Sequence, residues 1–141
     1  MSSNNPIGIF DSGLGGLTVA RALRAQLPRE SLIYYGDTAR VPYGTKSPET
    51  IVRFTRDAIA FLCAHDVKCI VVACNTASAV ALPQVQADAR VPLVGVIDAG
   101  ARAAAAATRA AKVGVIGTPA TIASDVYTRA IQKLNPAITV Y

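Results

Sequence analysis

Cys74 is the side chain best suited to chemistry. It follows Ile70-Val71-Val72-Ala73 and precedes Asn75-Thr76-Ala77-Ser78. That order sets a thiol where a buried strand hands over to a helix start, whose unpaired N–H groups and dipole favour a thiolate. Asn75 and Thr76 beside it can hydrogen-bond a substrate carboxylate or amine. The competing reading of the same cysteine is a small buried apolar residue. Cys63 and Cys69 fit that plainer reading. One lies on a helical stretch, and the other opens the strand, more than ~10 Å from Cys74 at the rise of an extended chain.

Other polar groups fall at equivalent places. In an open parallel sheet, ligands bind beyond the carboxyl ends of the strands. That edge collects Asp11-Ser12-Gly13-Leu14-Gly15-Gly16, Gly36-Asp37, Tyr43-Gly44, Asp98, and Gly117-Thr118 with Thr121. Gly13-x-Gly15-Gly16 fails as a dinucleotide fingerprint, because the third glycine of G-x-G-x-x-G falls on Thr18. The charge of Asp11 also opposes a phosphate, so glycines for a tight turn are the simpler reading. Cys63-x-His65-x-x-x-Cys69 offers three ligands with no partner cluster, and no metal is expected. Of four lysines only Lys46 lies in a loop on this edge, which argues against a pyridoxal Schiff base. No cofactor is expected.

The elements that must position these groups follow from the apolar pattern. Strands are expected at Ile7–Phe10, Leu32–Tyr35, Cys69–Ala73, Leu93–Ile97, Val113–Ile116 and Ile138–Val140. Between them lie a helix over Thr18–Leu27 and one capped by Ser47-Pro48 that runs to about His65. A helix opens at Asn75-Thr76 and is interrupted at Pro83, an Ala-rich helix spans 99–111, and one from Thr118-Pro119 reaches about Leu134. Strands alternating with helices mean an α/β fold, a doubly wound parallel sheet with Rossmann-like layers of helices on both faces. The chain reaches Tyr141 at a strand, so it is read as part of something longer.

Composition excludes several classes. The 141 residues are 52% hydrophobic and 16% charged, with mean hydropathy +0.36, the opposite of a disordered chain. Alanine supplies 26 of them, and no apolar run approaches the ~20 residues of a membrane span. No secretory signal is visible at Met-Ser-Ser-Asn-Asn-Pro, and three cysteines make no disulfide framework, so a reducing cytoplasm is expected. Net charge is +5, from 14 Lys+Arg against 9 Asp+Glu. With no basic run, no aromatic interleaving and no Trp, nucleic-acid binding is not expected.

Four segments resemble the glutamate branch of the aspartate/glutamate racemase family. They are Ile9-Phe10-Asp11-Ser12-Gly13-Leu14-Gly15-Gly16-Leu17-Thr18-Val19, Tyr35-Gly36-Asp37-Thr38-Ala39-Arg40-Val41-Pro42-Tyr43-Gly44, Val72-Ala73-Cys74-Asn75-Thr76-Ala77-Ser78 and Gly117-Thr118-Pro119-Ala120-Thr121. The resemblance implies cofactor-independent interconversion of L- and D-glutamate for peptidoglycan. It matches Cys74 to the first catalytic cysteine and Asp11 to its acidic partner. Ser12, Tyr43, Gly44, Asn75 and Thr76 match substrate-binding positions, with Pro42, Thr118 and Thr121 lining the site. It further implies a homodimer and two similar α/β domains, so that residues 1–97 are most of the first and 98–141 open the second. The second cysteine would then lie outside this chain.

Inverting an α-carbon removes a proton from one face and delivers one to the other. One thiol reaches one face, so this chain alone is expected not to racemise glutamate. An aspartate-specific racemase, or an α/β fragment that holds an amino acid without turning it over, are the alternatives.

Overall fold

The computed structural model describes residues 4–141. Its elements are β1 (Ile7–Asp11), α1 (Leu17–Gln26), β2 (Leu32–Gly36), α2 (Pro48–Cys63), β3 (Cys69–Val72), α3 (Asn75–Val80), α4 (Leu82–Val85), β4 (Leu93–Gly95), α5 (Ile97–Ala107), β5 (Lys112–Val113), α6 (Pro119–Ala123), α7 (Val126–Leu134) and β6 (Thr139–Val140). A single 3-10 turn covers Tyr43–Thr45.

The strands form two parallel sheets. Four of them run in the order β2-β1-β3-β4, and β5 pairs with β6 apart from these. Right-handed crossovers place α1 on one face of the larger sheet and α2, α3 and α4 on the other, because the chain reverses its direction of travel after β2. α2 accordingly packs on α3 and α4. Its inward stripe is Ile51, Val52, Thr55, Ala58, Ile59 and Leu62, the spacing of one helical face. Ser47 caps it by accepting the Thr50 N–H, and Pro48 fills the first turn. The main core joins this stripe to Phe10, Ile70 and Val72, and a second, smaller core gathers Ala101, Ile131 and Ile138.

Several expected boundaries move. β4 stops at Gly95, and Ile97 already belongs to α5. α5 ends at Ala107, where Thr108 turns the chain by accepting the Lys112 N–H and donating to the Lys112 carbonyl. β5 keeps only Lys112–Val113 of the expected strand to Ile116, and Ile116 is 98% exposed. Beyond the two ladder residues, the Val115 N–H still donates to the Tyr141 carbonyl at 2.8 Å. The helix expected from Thr118 to Leu134 is two, broken where Asp125 takes a left-handed conformation (φ 54°).

The two sheets are joined through a close backbone approach. A Cβ on Gly44 would stand 2.2 Å from the Cβ of Thr118, so only glycine lets the 3-10 turn meet the start of α6. Gly44→Ala is expected to lower unfolding free energy by about 1–3 kcal/mol, the cost of overpacking a tight contact. Gly114→Ala, with nothing within 4 Å of the added carbon, should change it by less than about 0.5 kcal/mol. Urea denaturation of both variants checks the contrast.

Candidate active site

The strand order reverses between β1 and β3, since the chain leaves β1 outward to β2 and then returns to β3 and β4. The crevice beyond the ends of these two strands is the expected ligand position of such a sheet. Asp11 closes β1, and Cys74 lies two residues past β3 as the residue before α3. The parallel register pairs Phe10 with Val72, which brings the next residues of both strands side by side. The Cys74 thiol donates to Ser12 Oγ at 3.2 Å, and its sulfur accepts the Ala77 N–H at 3.4 Å. Cys74 is only 5% exposed.

Asp11 is held by one oxygen. Its Oδ2 accepts the Gly16 N–H at 2.9 Å, the Gly13 N–H at 3.2 Å and the Tyr34 hydroxyl at 3.3 Å. The carboxylate thus caps α1, whose Gly16 provides no side chain for the purpose. A Cβ on Gly16 would lie 2.7 Å from the Asp11 Cβ, so this glycine is required by space. No hydrogen bond among the described residues occupies Asp11 Oδ1. Burial, then the charge of Asp11 and its hydrogen bond, push the Tyr34 phenol up to about 12.

A second wall comes from residues 37–44. The Tyr43 hydroxyl donates to Asp37 Oδ2 at 2.5 Å, and both side chains are buried. Arg40 clamps the same carboxylate through Nε at 2.6 Å, reaches Asp57 at 2.8 Å, and lies over the Phe54 ring at 4.2 Å. The bond to Asp37 reinforces Arg40 as a cation. Burial, followed by the bond to Asp37, raises the Tyr43 pKa, so Tyr43 remains a neutral phenol. Pro42 follows a cis peptide bond and is exposed.

The third side belongs to α3 and α6. Thr76, Thr118 and Thr121 bond to one another through their hydroxyls, at 2.9, 3.0 and 3.2 Å. Thr118 also caps α6 by accepting the Thr121 N–H. The Tyr127 hydroxyl donates to Asn75 Oδ1 at 2.6 Å. Asn75, Thr118, Thr121 and Tyr127 line a cavity of about 420 Å³ that extends along 113–117. A larger cavity, about 620 Å³, lies between α2 and α4 at the opposite edge, with Val67 and Val91 at its wall, far from this chemistry.

Cys74 therefore meets Ser12, the residue after Asp11, and Gly44, Thr76, Thr118 and Thr121 meet as a second group. Asp98 does not join either. It is exposed in the first turn of α5 and faces a separate cavity with Leu82 and Arg102, because β4 ends before it. Tyr34, Arg40 and Tyr127 were not singled out from the sequence. The alternation of β2 carries a signal for the first, since Tyr35 packs on Phe10 and its neighbour must face the other way. Tyr127 has no such signal, because its partner is 52 residues away. Among the described residues no group of His, Cys, Asp and Glu gathers as a metal site, and no helix is long and apolar enough to cross a membrane.

Residues 17–139 match the Asp/Glu/hydantoin racemase family, and the chain belongs to that family. It is 58% identical over 134 residues to the glutamate racemase of Geobacter metallireducens, covering 95% of this chain and 50% of that protein. The glutamate racemase of Syntrophus aciditrophicus is 55% identical over 137 residues, with 97% and 51% covered. Among solved structures, the glutamate racemase of Francisella tularensis in complex with D-glutamate superposes with TM-score 0.88 at 50% identity, over 98% of this chain and 52% of that one. The RacE1 isoform of glutamate racemase from Bacillus anthracis gives 0.94 at 44% identity, over 99% and 53%. The chain spans about half the length of the curated relatives it matches.

Asp11→Ala is expected to cost about 1–3 kcal/mol by stranding the buried Gly16 N–H, whereas Asp11→Asn keeps an acceptor oxygen and should cost less than about 1 kcal/mol. Urea unfolding separates the two. Both variants remove the charge and should bring the Tyr34 phenol down from about 12, read by phenolate absorbance against a Tyr34→Phe control. Tyr34 has a raised folded-state pKa. Its stabilising contribution is therefore complete below pH 10.0, its unperturbed value, and lost as pH rises through about 12.

Proposed function

We propose that the protein carrying this chain is a cofactor-independent glutamate racemase that supplies D-glutamate for peptidoglycan. Residues 4–141 then hold the half of the site that serves one face of the α-carbon. The observation that carries this reading is the Cys74 thiol bonded to Ser12, the residue after Asp11, at the reversal of the sheet, in a chain 58% identical to a protein named glutamate racemase.

As a thiolate, Cys74 takes the α-proton of one enantiomer, by resemblance the D side, and becomes the thiol. The electron pair left on carbon is delocalised into the substrate carboxylate. A second thiol on the far face, outside this chain, delivers a proton there and becomes the thiolate. The reverse direction exchanges their roles. The Ala77 N–H and Ser12 hydroxyl are the groups available to hold the Cys74 sulfur in its charged form, fixed dipoles of the kind that stabilise charge in a dry site. Asp11 Oδ1 is available to the substrate ammonium and assists proton movement at Cys74. Asn75, Thr76, Thr118 and Thr121 line the site, and Pro42, Tyr43 and Gly44 form its wall.

Two cores and two sheets support a division into residues 1–97, most of a first domain, and 98–141, the opening of a second. The whole protein is a cytoplasmic homodimer in this reading, with no nucleic acid or membrane partner.

In the complete protein Cys74→Ala should abolish racemisation, since loss of a general base is worth about 10²–10⁴-fold and inversion has no bypass. Retention of more than a tenth of turnover would contradict the assignment. Residues 1–141 alone, incubated with L-glutamate in deuterium oxide, should show neither α-deuterium exchange nor D-glutamate. D-glutamate formation well above a Cys74→Ala control overturns the two-thiol argument. Aspartate turned over in preference to glutamate by the complete protein overturns the substrate.

A further inference from the structure

β1 and β2 pair in parallel register, Ile9 with Tyr34 and Asp11 with Gly36. Alternation along each strand therefore sends the Tyr34 and Asp11 side chains to one face of the sheet. Gly36, two residues beyond Tyr34, shares that face and leaves it open. A Cβ there would stand 3.0 Å from the Tyr34 ring and 2.6 Å from the Gly13 carbonyl oxygen. Without it the ring extends along the face until its hydroxyl reaches the turn after β1. That hydroxyl is shared between the Gly13 carbonyl at 3.0 Å and Asp11 Oδ2 at 3.3 Å. It thus holds both ends of a three-residue segment. Ser12 is the middle residue, and its Oγ accepts the Cys74 thiol at 3.2 Å. Among the described residues this is the only hydrogen bond of the Ser12 side chain.

We propose that Tyr34 is a positioning residue for Cys74: by pinning Asp11 and Gly13 it fixes Ser12, and with it the hydroxyl that meets the reacting sulfur. The inference rests on the racemase reading above. Burial, then the charge and hydrogen bond of Asp11, then the charge of Cys74 push the Tyr34 phenol up to about 12. Tyr34 therefore keeps its proton while the sulfur nearby gains and loses one, and it remains a donor throughout the cycle. A phenylalanine at this position would fill the same space and leave the segment 11–13 held only by the backbone donors to Asp11.

The test uses the complete protein, unsubstituted and as Tyr34→Phe and Thr55→Val. The last removes one buried hydroxyl bond inside α2, from Thr55 Oγ1 to the Ile51 carbonyl, and serves as the control for general stability. Turnover is followed with D- and L-glutamate carrying hydrogen or deuterium at the α-carbon. Tyr34→Phe should lower kcat about three- to tenfold, the weight of one hydrogen bond, with KM within about twofold. Cys74 serves the D side in the reading above, so its proton transfer becomes more rate-limiting in this variant. The isotope effect on kcat/KM for D-glutamate should therefore rise relative to that for L-glutamate. Thr55→Val should keep the unsubstituted ratio. A kcat less than twofold below the unsubstituted protein for Tyr34→Phe overturns the proposal. So does an equal change in both isotope effects, or the same change of ratio in Thr55→Val, either of which reduces the hydroxyl to a structural role. If the unsubstituted protein turns over no glutamate, the racemase reading fails at that control and the inference falls with it. Failure of Tyr34→Phe in an otherwise active protein touches the inference alone.

Discussion

Oδ2 of Asp11 takes two backbone N–H groups and a phenol at the end of β1. The turn from β1 into α1 depends on that oxygen, because it takes the Gly13 and Gly16 N–H groups and Gly16 gives α1 no capping side chain of its own. The turn in turn sets Ser12 against Cys74. A carboxylate used in this way is structural and chemical together. One oxygen shapes the loop, and no hydrogen bond among the described residues takes the other.

The rest of the site is arranged so that charge is met by charge inside the protein. Asp37 is buried, and an isolated carboxylate there would carry a large desolvation cost. Arg40 and the Tyr43 hydroxyl compensate it, and Arg40 is itself laid over Phe54. The loop 37–44 is consequently held as one piece, with Gly44 pressed against Thr118. Three threonine hydroxyls close the seam between the two sheets by bonding to one another. The Tyr127 hydroxyl crosses the same seam to Asn75.

Much of this was legible in the sequence. The buried run before Cys74 and the polar Asn75-Thr76 after it marked a strand end and a helix start, because apolar periodicity and caps are local signals. Ser47-Pro48 likewise announced α2. Where contacts outweighed local preference, the sequence misled. Val113–Ile116 is as apolar as a strand, yet only Lys112–Val113 are ladder-paired and Ile116 stands exposed. The run from Thr118 to Leu134 has the composition of one helix, but a left-handed Asp125 splits it, and no residue type announces that.

By itself the sequence determined the order of strands and helices, the residue types at the strand ends, and a net charge of +5 spread without a basic run. Each follows from local chemistry and composition. Only the tertiary structure decided that Asp98 faces a cavity apart from Cys74 and that Tyr127 reaches Asn75. Those outcomes depend on which elements lie side by side in space, and the contact of Tyr127 with Asn75 joins residues 52 positions apart in the chain.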